Sequence, residues 1–576
     1  MKYDLVIRGG TVADGSGAET FEADIAIHNG VIAEVGRNLG TGIEEIDARG
    51  RLVTPGFVDI HTHYDGQVTW DNRLSPSSGH GVTSVLMGNC GVGFAPCLPS
   101  QREIMVEVME GVEDIPGIVM AEGLPWNWET FPQYLDAIEA RHTDVDFAAQ
   151  VPHCPLRVYV MGQRGVDREP ANSDDIKRMA AIVREAVAAG AFGFSTSRVA
   201  GHRTAGGEVI PSTTASEDEL TAIALAMKDV GAGIFQTAAE FDLSNGFSAE
   251  FAMLKRLGKI SGRPVHFPLL EYRENPEGWK QVANACAEAR ADGVEMYGQV
   301  CARPVGILYG LELSCHPFIG CASYRAIAKM PLAERVAALR DPTLKARILS
   351  ETPDHLDKRV LALSRSVEDM YRMGEPPDYA PPASERLDNI AKRTGTTALS
   401  IAYDIMLERD GRGIIYHPAR NYFFQSLDAV MDMLHRPETV VGLGDGGAHL
   451  GRICDGSIST FMLTYWTRDR VGKRLSVPWV VKALTHDTAR IGGFGDRGLL
   501  KPGYKADVNV IDYDKLTLHA PFAAHDLPAG GCRLFQKADG YTATVLSGAI
   551  TYRDGTPTGA LPGRLVRHQR SAPRGI

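Results

Sequence analysis

The segment GFVDIHTHYDGQ places His61 and His63 on either side of one threonine, directly behind a short apolar run. Side chains alternate along a strand, so two imidazoles at i and i+2 point to the same side of a sheet. Such a pair either grips a metal or is two polar residues at a surface turn. Further metal-competent or polar groups recur behind other apolar runs: Cys90 in GNCGVG, His153 in VPHCPLR, Arg198 and His202 in SRVAGH, and Asp445 and His449 in DGGAHLG. Each has a plainer reading when taken alone. A free cysteine is usually a small buried hydrophobe, and Asp445 is suited to capping a helix. Their recurrence behind successive apolar runs favours the metal. Two neutral imidazoles and a carboxylate suit Zn2+ with one position left for water. The cation lowers the pKa of that water from about 15.7 towards about 7. Asp445 is then placed to orient or deprotonate the water and to pass the proton to a leaving amine. The implied chemistry is metal-assisted hydrolysis, with one or two zinc ions.

Eight short runs read as the strands that position these groups: 56–60, 82–88, 146–151, 191–196, 232–237, 264–270, 294–300 and 439–444. Amphipathic stretches such as SDDIKRMAAIVREAVAAG and SEDELTAIALAMKDVG lie between several of them. Each opens on Ser with an acidic first turn and closes on Gly, as helices do. Eight strands with intervening helices predict an α/β fold, a (β/α)8 TIM barrel, whose chemistry sits at the carboxyl ends of the strands. About 138 residues separate the seventh and eighth runs, so 304–438 is expected to be an insertion forming a lid. The first 55 residues alternate β-branched runs with glycine turns, and segments near the other end repeat the style. The expected division is therefore 1–55 and 489–576 as one β unit built from both chain ends, flanking a catalytic domain at 56–488.

A formal charge of −11 over 576 residues argues against a nucleic-acid partner. No run of about 18 apolar residues suggests a membrane span, and MKYDLVIRGGTV reads as strand and turn rather than a signal peptide. Nine scattered cysteines without a CxxC pair fit a reducing compartment, hence a cytoplasmic enzyme.

TPGFVDIHTH, the GNCG turn, GLGDGGAH and DRGLLKPGYKADVNVID resemble the amidohydrolase superfamily, and within it the N-acyl-D-amino-acid deacylase (D-aminoacylase) branch. The resemblance runs along nearly the whole chain, and the cysteine of the GNCG turn is its more specific mark. It implies a metal-bearing TIM barrel beside a β-sandwich, and hydrolysis of a small-molecule N-acyl amino acid. Carried over residue by residue, it implies His61 and His63 as ligands of one metal, Cys90 as a ligand of a tighter position, and Asp445 as catalytic base with metal contact.

The pattern departs where the family expects histidines after the fifth and sixth strands. Ala238, Ala239, Leu269 and Leu270 stand there, with Glu240 and Glu271 close behind as substitute oxygen ligands. Arginine recognises a substrate carboxylate in a bidentate way, which makes Arg198, Arg303 and Arg420 candidates beside His153, His202 and His449. Two other readings stay open. One is a cyclic-amide hydrolase of hydantoinase or dihydropyrimidinase type, disfavoured because no lysine follows any of the eight runs. The other is a metal-free barrel acting as a binding or assembly module. The β unit and the insertion each leave room for a homo-oligomer interface.

Overall fold

The computed structural model describes residues 2–239, 241, 247–354, 361 and 366–568. Each of the eight runs forms a strand: β1 (Phe57–Asp59), β2 (Val82–Met87), β3 (Asp146–Ala149, continued by Val151–Pro152), β4 (Gly193–Ser197), β5 (Ile234–Ala238), β6 (Val265–Pro268), β7 (Met296–Val300) and β8 (Thr439–Val441). They pair parallel in chain order from β1 to β3 and from β3 to β8. Beyond β1 and β8 the chain pairs again, the Asp445 amide donating to the His61 carbonyl (2.9 Å) and the His63 amide to the Gly446 carbonyl (2.8 Å). One apolar cluster takes Val58, Leu86, Ala148, Ile234, Tyr297 and Val440 from six of the strands and Phe192 from just before β4. Side chains from strands so far apart in sequence meet only if the array curls around them.

The helices that follow the strands are specified locally. α1 (Arg102–Glu113) buries Met105, Val108, Met109 and Val112, an i, i+3, i+4, i+7 stripe. α2 (Ser173–Ala188) starts one residue earlier than its sequence suggests: the cap is Asn172, whose side chain accepts from the amides of Asp174 and Asp175, leaving Ser173 inside the first turn. α3 (Glu217–Val230) is capped by the Ser216 side chain and ends at Gly231 in a left-handed conformation.

Both chain ends contribute to one nine-stranded sheet. Val508–Ile511 pairs antiparallel with Leu52–Pro55, which in turn pairs parallel with Tyr3–Val12. Its core joins Leu5, Ile7, Val12 and Ile25 to Val508, Val510 and Val545. Residues 305–420 carry a separate antiparallel sheet of Val305–Tyr309, Ile415–Arg420 and Tyr371–Arg372. A separate apolar cluster, from Tyr309 to Ile415, belongs to this segment alone.

Candidate metal centre

His61 and His63 follow β1 directly, Cys90 lies in the turn after β2, and Asp445 and His449 lie in the loop after β8. His61, His63 and Cys90 are buried and each offers a ligand atom within 4.8 Å of the other two. Cys90 Sγ stands 3.4 Å from His61 Nε2. Asp445 Oδ1 completes the set, 3.4 Å from His61 Nε2 and 3.7 Å from His63 Nε2.

The loops that aim these groups are bent sharply. Cys90, Asp445 and His449 all have left-handed backbone, with φ of 55°, 47° and 50°. Non-glycine residues hold that conformation only where the surroundings over-determine it. For Cys90 the surroundings are visible: its amide donates to Gln236 Oε1 of β5 (2.9 Å), and the next amide, of Gly91, donates to Ser195 Oγ of β4 (3.0 Å). Gly91 itself has a φ of +70°, and a Cβ there would stand 2.8 Å from Thr196 Cα. The glycine lets the turn lie flat on β4 and brings the thiol across to His61.

The titratable groups of the pocket are perturbed by burial and by one another. Burial lowers the pKa of His61 to about 4, so this imidazole is neutral with a lone pair to offer. Burial opposes protonation of His63 as well, but Glu113, Asp445 and Cys90 together hold its pKa well above the ordinary histidine value. Burial pushes the Cys90 thiol up to about 11. Burial also opposes ionisation of Asp445, yet His63, His61 and His449 keep its pKa well below the usual carboxylate value.

Three contributors carry no motif in the sequence. Gln299 of β7 stands behind His61, its Oε1 2.5 Å from Nδ1. Gln236 fixes the Cys90 turn. Glu113, the last residue of α1, places Oε1 3.3 Å from His63 Nδ1 and Oε2 3.7 Å from His449 Nε2. The sequence does carry a trace of Glu113: it extends the apolar stripe of α1, one residue past Val112 on the buried face, where a carboxylate is out of place.

The remaining candidates are placed differently. His153 is buried with both ring nitrogens engaged, Nδ1 by Thr196 Oγ1 and Nε2 by Glu219 Oε1, each at 2.8 Å. Glu219 also pairs with the buried Arg157. His153 therefore packs a helix onto a strand and keeps no nitrogen for a substrate. Arg303 is buried and spoken for by Asp455, Ser457 and the Cys454 carbonyl, its guanidinium 4.1 Å over Tyr379. Glu271 accepts from the Phe423 amide (3.1 Å) and tethers the 421–423 turn rather than joining the trio. Glu240 lies outside the described residues. Arg198 pairs with Glu250 (2.7 Å), and Arg420 lies 4.9 Å over Tyr272. His202 receives a hydrogen bond from, or donates one to, Ser197 Oγ (2.8 Å), and its pKa is pushed down to about 3 by burial and by His449 and His63. Two further histidines, His316 and His417 of the 305–420 segment, are buried against Tyr324 and Tyr309.

The chain is similar to characterised proteins along nearly its whole length. Residues 44–552 match the amidohydrolase family, and the chain belongs to it. D-aminoacylase of Alcaligenes xylosoxydans xylosoxydans is 25% identical over 570 residues, covering 98% of this chain and 97% of that protein. A solved D-aminoacylase structure, described with a binuclear metal centre, superposes with a TM-score of 0.65 at 23% identity, covering 98% of this chain and 100% of that one. N-acyl-D-glutamate deacylase from Bordetella bronchiseptica, solved with zinc and a phosphonate mimic of the tetrahedral intermediate, gives 0.64 at 23% identity with the same coverage. No helix among the described residues is long and apolar enough to cross a membrane, and none of the nine cysteines is in a disulfide.

Proposed function

We propose that this amidohydrolase cleaves the amide of N-acylated amino acids, those of D configuration, at a mononuclear zinc centre. The observation that carries the reading is the convergence of His61 Nε2, His63, Cys90 Sγ and Asp445 Oδ1. We read the parallel array as a closed (β/α)8 barrel over residues 56–488 and the sheet of 1–55 and 489–576 as the accompanying β-sandwich. The hydrogen bonds between the extensions of β1 and β8, and the cluster gathered from six strands, support that closure.

Two neutral-capable imidazoles, a thiol and a carboxylate fit a borderline-soft cation such as zinc. Bound there, it supplies a Lewis acid and a water of lowered pKa. Asp445, its Oδ1 3.4 and 3.7 Å from the two imidazoles, would take the proton of the attacking water and return it to the leaving amine. Gln299 holds His61 by its far nitrogen, so that Nε2 faces the cluster. His202, His449, Arg198 and Arg420 are our candidates for contacts to the substrate carboxylate.

The apolar ends of β5 and β6 support one metal rather than two. Ala238, Ala239 and Leu269 are buried there in place of ligands, and the polar neighbour Gln236 is committed to the Cys90 turn. Metal analysis of protein purified without chelator tests this directly. We expect close to one equivalent of zinc, lost from a His61→Ala/His63→Ala variant, and release of amine from N-acyl-D-amino acids by the zinc-loaded enzyme. Two equivalents would refute the mononuclear centre, and no uptake from added zinc would refute the hydrolytic reading.

A further inference from the structure

The two imidazoles of the centre are oriented alike. His61 Nε2 and His63 Nε2 stand 3.4 and 3.7 Å from the same oxygen, Asp445 Oδ1. Their far nitrogens point away from the cluster, His61 Nδ1 to Gln299 Oε1 and His63 Nδ1 to Glu113 Oε1. Gln299 comes from a strand of the parallel array, whereas Glu113 comes from the tip of a helix.

A buried carboxylate is badly sited at that tip. The carboxyl end of a helix carries partial negative charge, and burying an ionised group costs several kcal/mol unless it is paired. Glu113 is only 1% exposed and has no Lys or Arg among its ion pairs, which are with His63 and His449. Packing alone would be served better by an apolar residue continuing the stripe of α1. The helix end is nonetheless stitched in place. The Glu113 carbonyl accepts from the His449 amide, and the Asp114 carboxylate accepts from the Gly451 amide (3.1 Å) and pairs with Arg452 (3.3 Å). His63 Nδ1 and Glu113 Oε2 are both buried without a hydrogen bond. His63 Nδ1 has Glu113 Oε1 at ion-pair distance (3.3 Å), and Glu113 Oε2 has His449 Nε2 (3.7 Å).

Resting on the metal-centre reading above, we propose that Glu113 is a positioning residue shared by two histidines. With one oxygen it fixes His63 as the Nδ1–H form, leaving the Nε2 lone pair for the metal. With the other it holds His449 at the entrance of the same site. A carboxylate behind a ligating imidazole locks the tautomer and the ring orientation and raises ligand basicity.

The test is a Co2+ titration of the metal-free full-length protein against a competing chelator, with visible absorption spectra, for wild type, Glu113→Gln and Glu113→Leu. We expect the dissociation constant to rise roughly 10- to 100-fold in the Leu variant, with ligand-field bands shifted but present. The Gln variant should lose several-fold, because an amide oxygen still accepts from Nδ1–H as Gln299 does for His61. The thermal midpoints of the metal-free proteins should hold or rise, since a buried charge has gone. A Leu variant with wild-type constant and spectrum overturns the proposal, and should it not fold, a Gln variant with both unchanged does so. A Gln variant that loses the bands as fully as His63→Ala also overturns it, by making Glu113 a ligand. Wild type that takes up no cobalt is a distinct failure, of the metal centre itself, and the proposal falls with it.

Discussion

Each imidazole of the HxH pair is held from behind while its front nitrogen faces Asp445, and that division of labour separates binding from proton transfer. Asp445→Asn keeps the size and one acceptor oxygen but cannot take a proton. Its expected effect is a fall in turnover of about 10²–10⁴-fold, the usual worth of a general base, with cobalt still bound. A variant that hydrolyses N-acyl-D-amino acids at the wild-type rate would remove Asp445 from proton transfer. His61, His63, Cys90 and Asp445 were legible in the sequence because short motifs behind strands put them there, and the structure brings these four together. Gln299, Gln236 and Glu113 were not legible, since they approach from 238, 146 and 50 positions away from the groups they hold. Only tertiary proximity selects them. The plausible candidates His153 and Arg303 failed for the converse reason: sequence shows a polar side chain, not the Glu219 or Asp455 that consumes it.

At the scale of elements, the strands were legible because apolar runs bounded by turns and separated by amphipathic helices leave few alternatives. Helix starts were legible to within a residue, the Asn172 cap being mistaken for Ser173 because both residue types favour the position. What the pattern could not show is how closely turns press on neighbouring strands. The GNCG turn rests on β4 through Gly91, at positive φ and without room for a Cβ. Gly91→Ala combines left-handed strain with a clash against backbone that cannot rotate away. The expected cost is about 2 kcal/mol or more, read as a lowered urea midpoint, and weaker cobalt binding as Cys90 is levered from His61. An alanine variant as stable as wild type would show that the turn can lift off β4 freely.

Across the whole molecule, the parallel array and the sheet made by the chain ends meet at a buried polar knot around His80. Its Nδ1 lies 2.8 Å from Thr460 Oγ1, its Nε2 lies 3.0 Å from the Gln536 carbonyl, and its own carbonyl accepts from Ser459 Oγ and Tyr541 Oη. Burial lowers the pKa of this imidazole from 6.5 to about 4. Between those values the unfolded chain binds a proton that the folded chain refuses, so the contribution of His80 to stability is complete above pH 6.5 and is lost as pH falls towards 4. Asp59 and Asp65, pushed up to about 7 by burial, act in the opposite direction, which makes a single stability profile ambiguous. A difference between two proteins cancels them. His80→Gln keeps an amide donor and an acceptor but does not titrate, so the wild-type advantage in urea unfolding should shrink between pH 7.5 and pH 4.5 by roughly 2–3 kcal/mol. An advantage independent of pH would mean that the folded protein protonates His80 as readily as the unfolded chain does. The junction between the two parts of the molecule would then be open to water rather than sealed by this histidine.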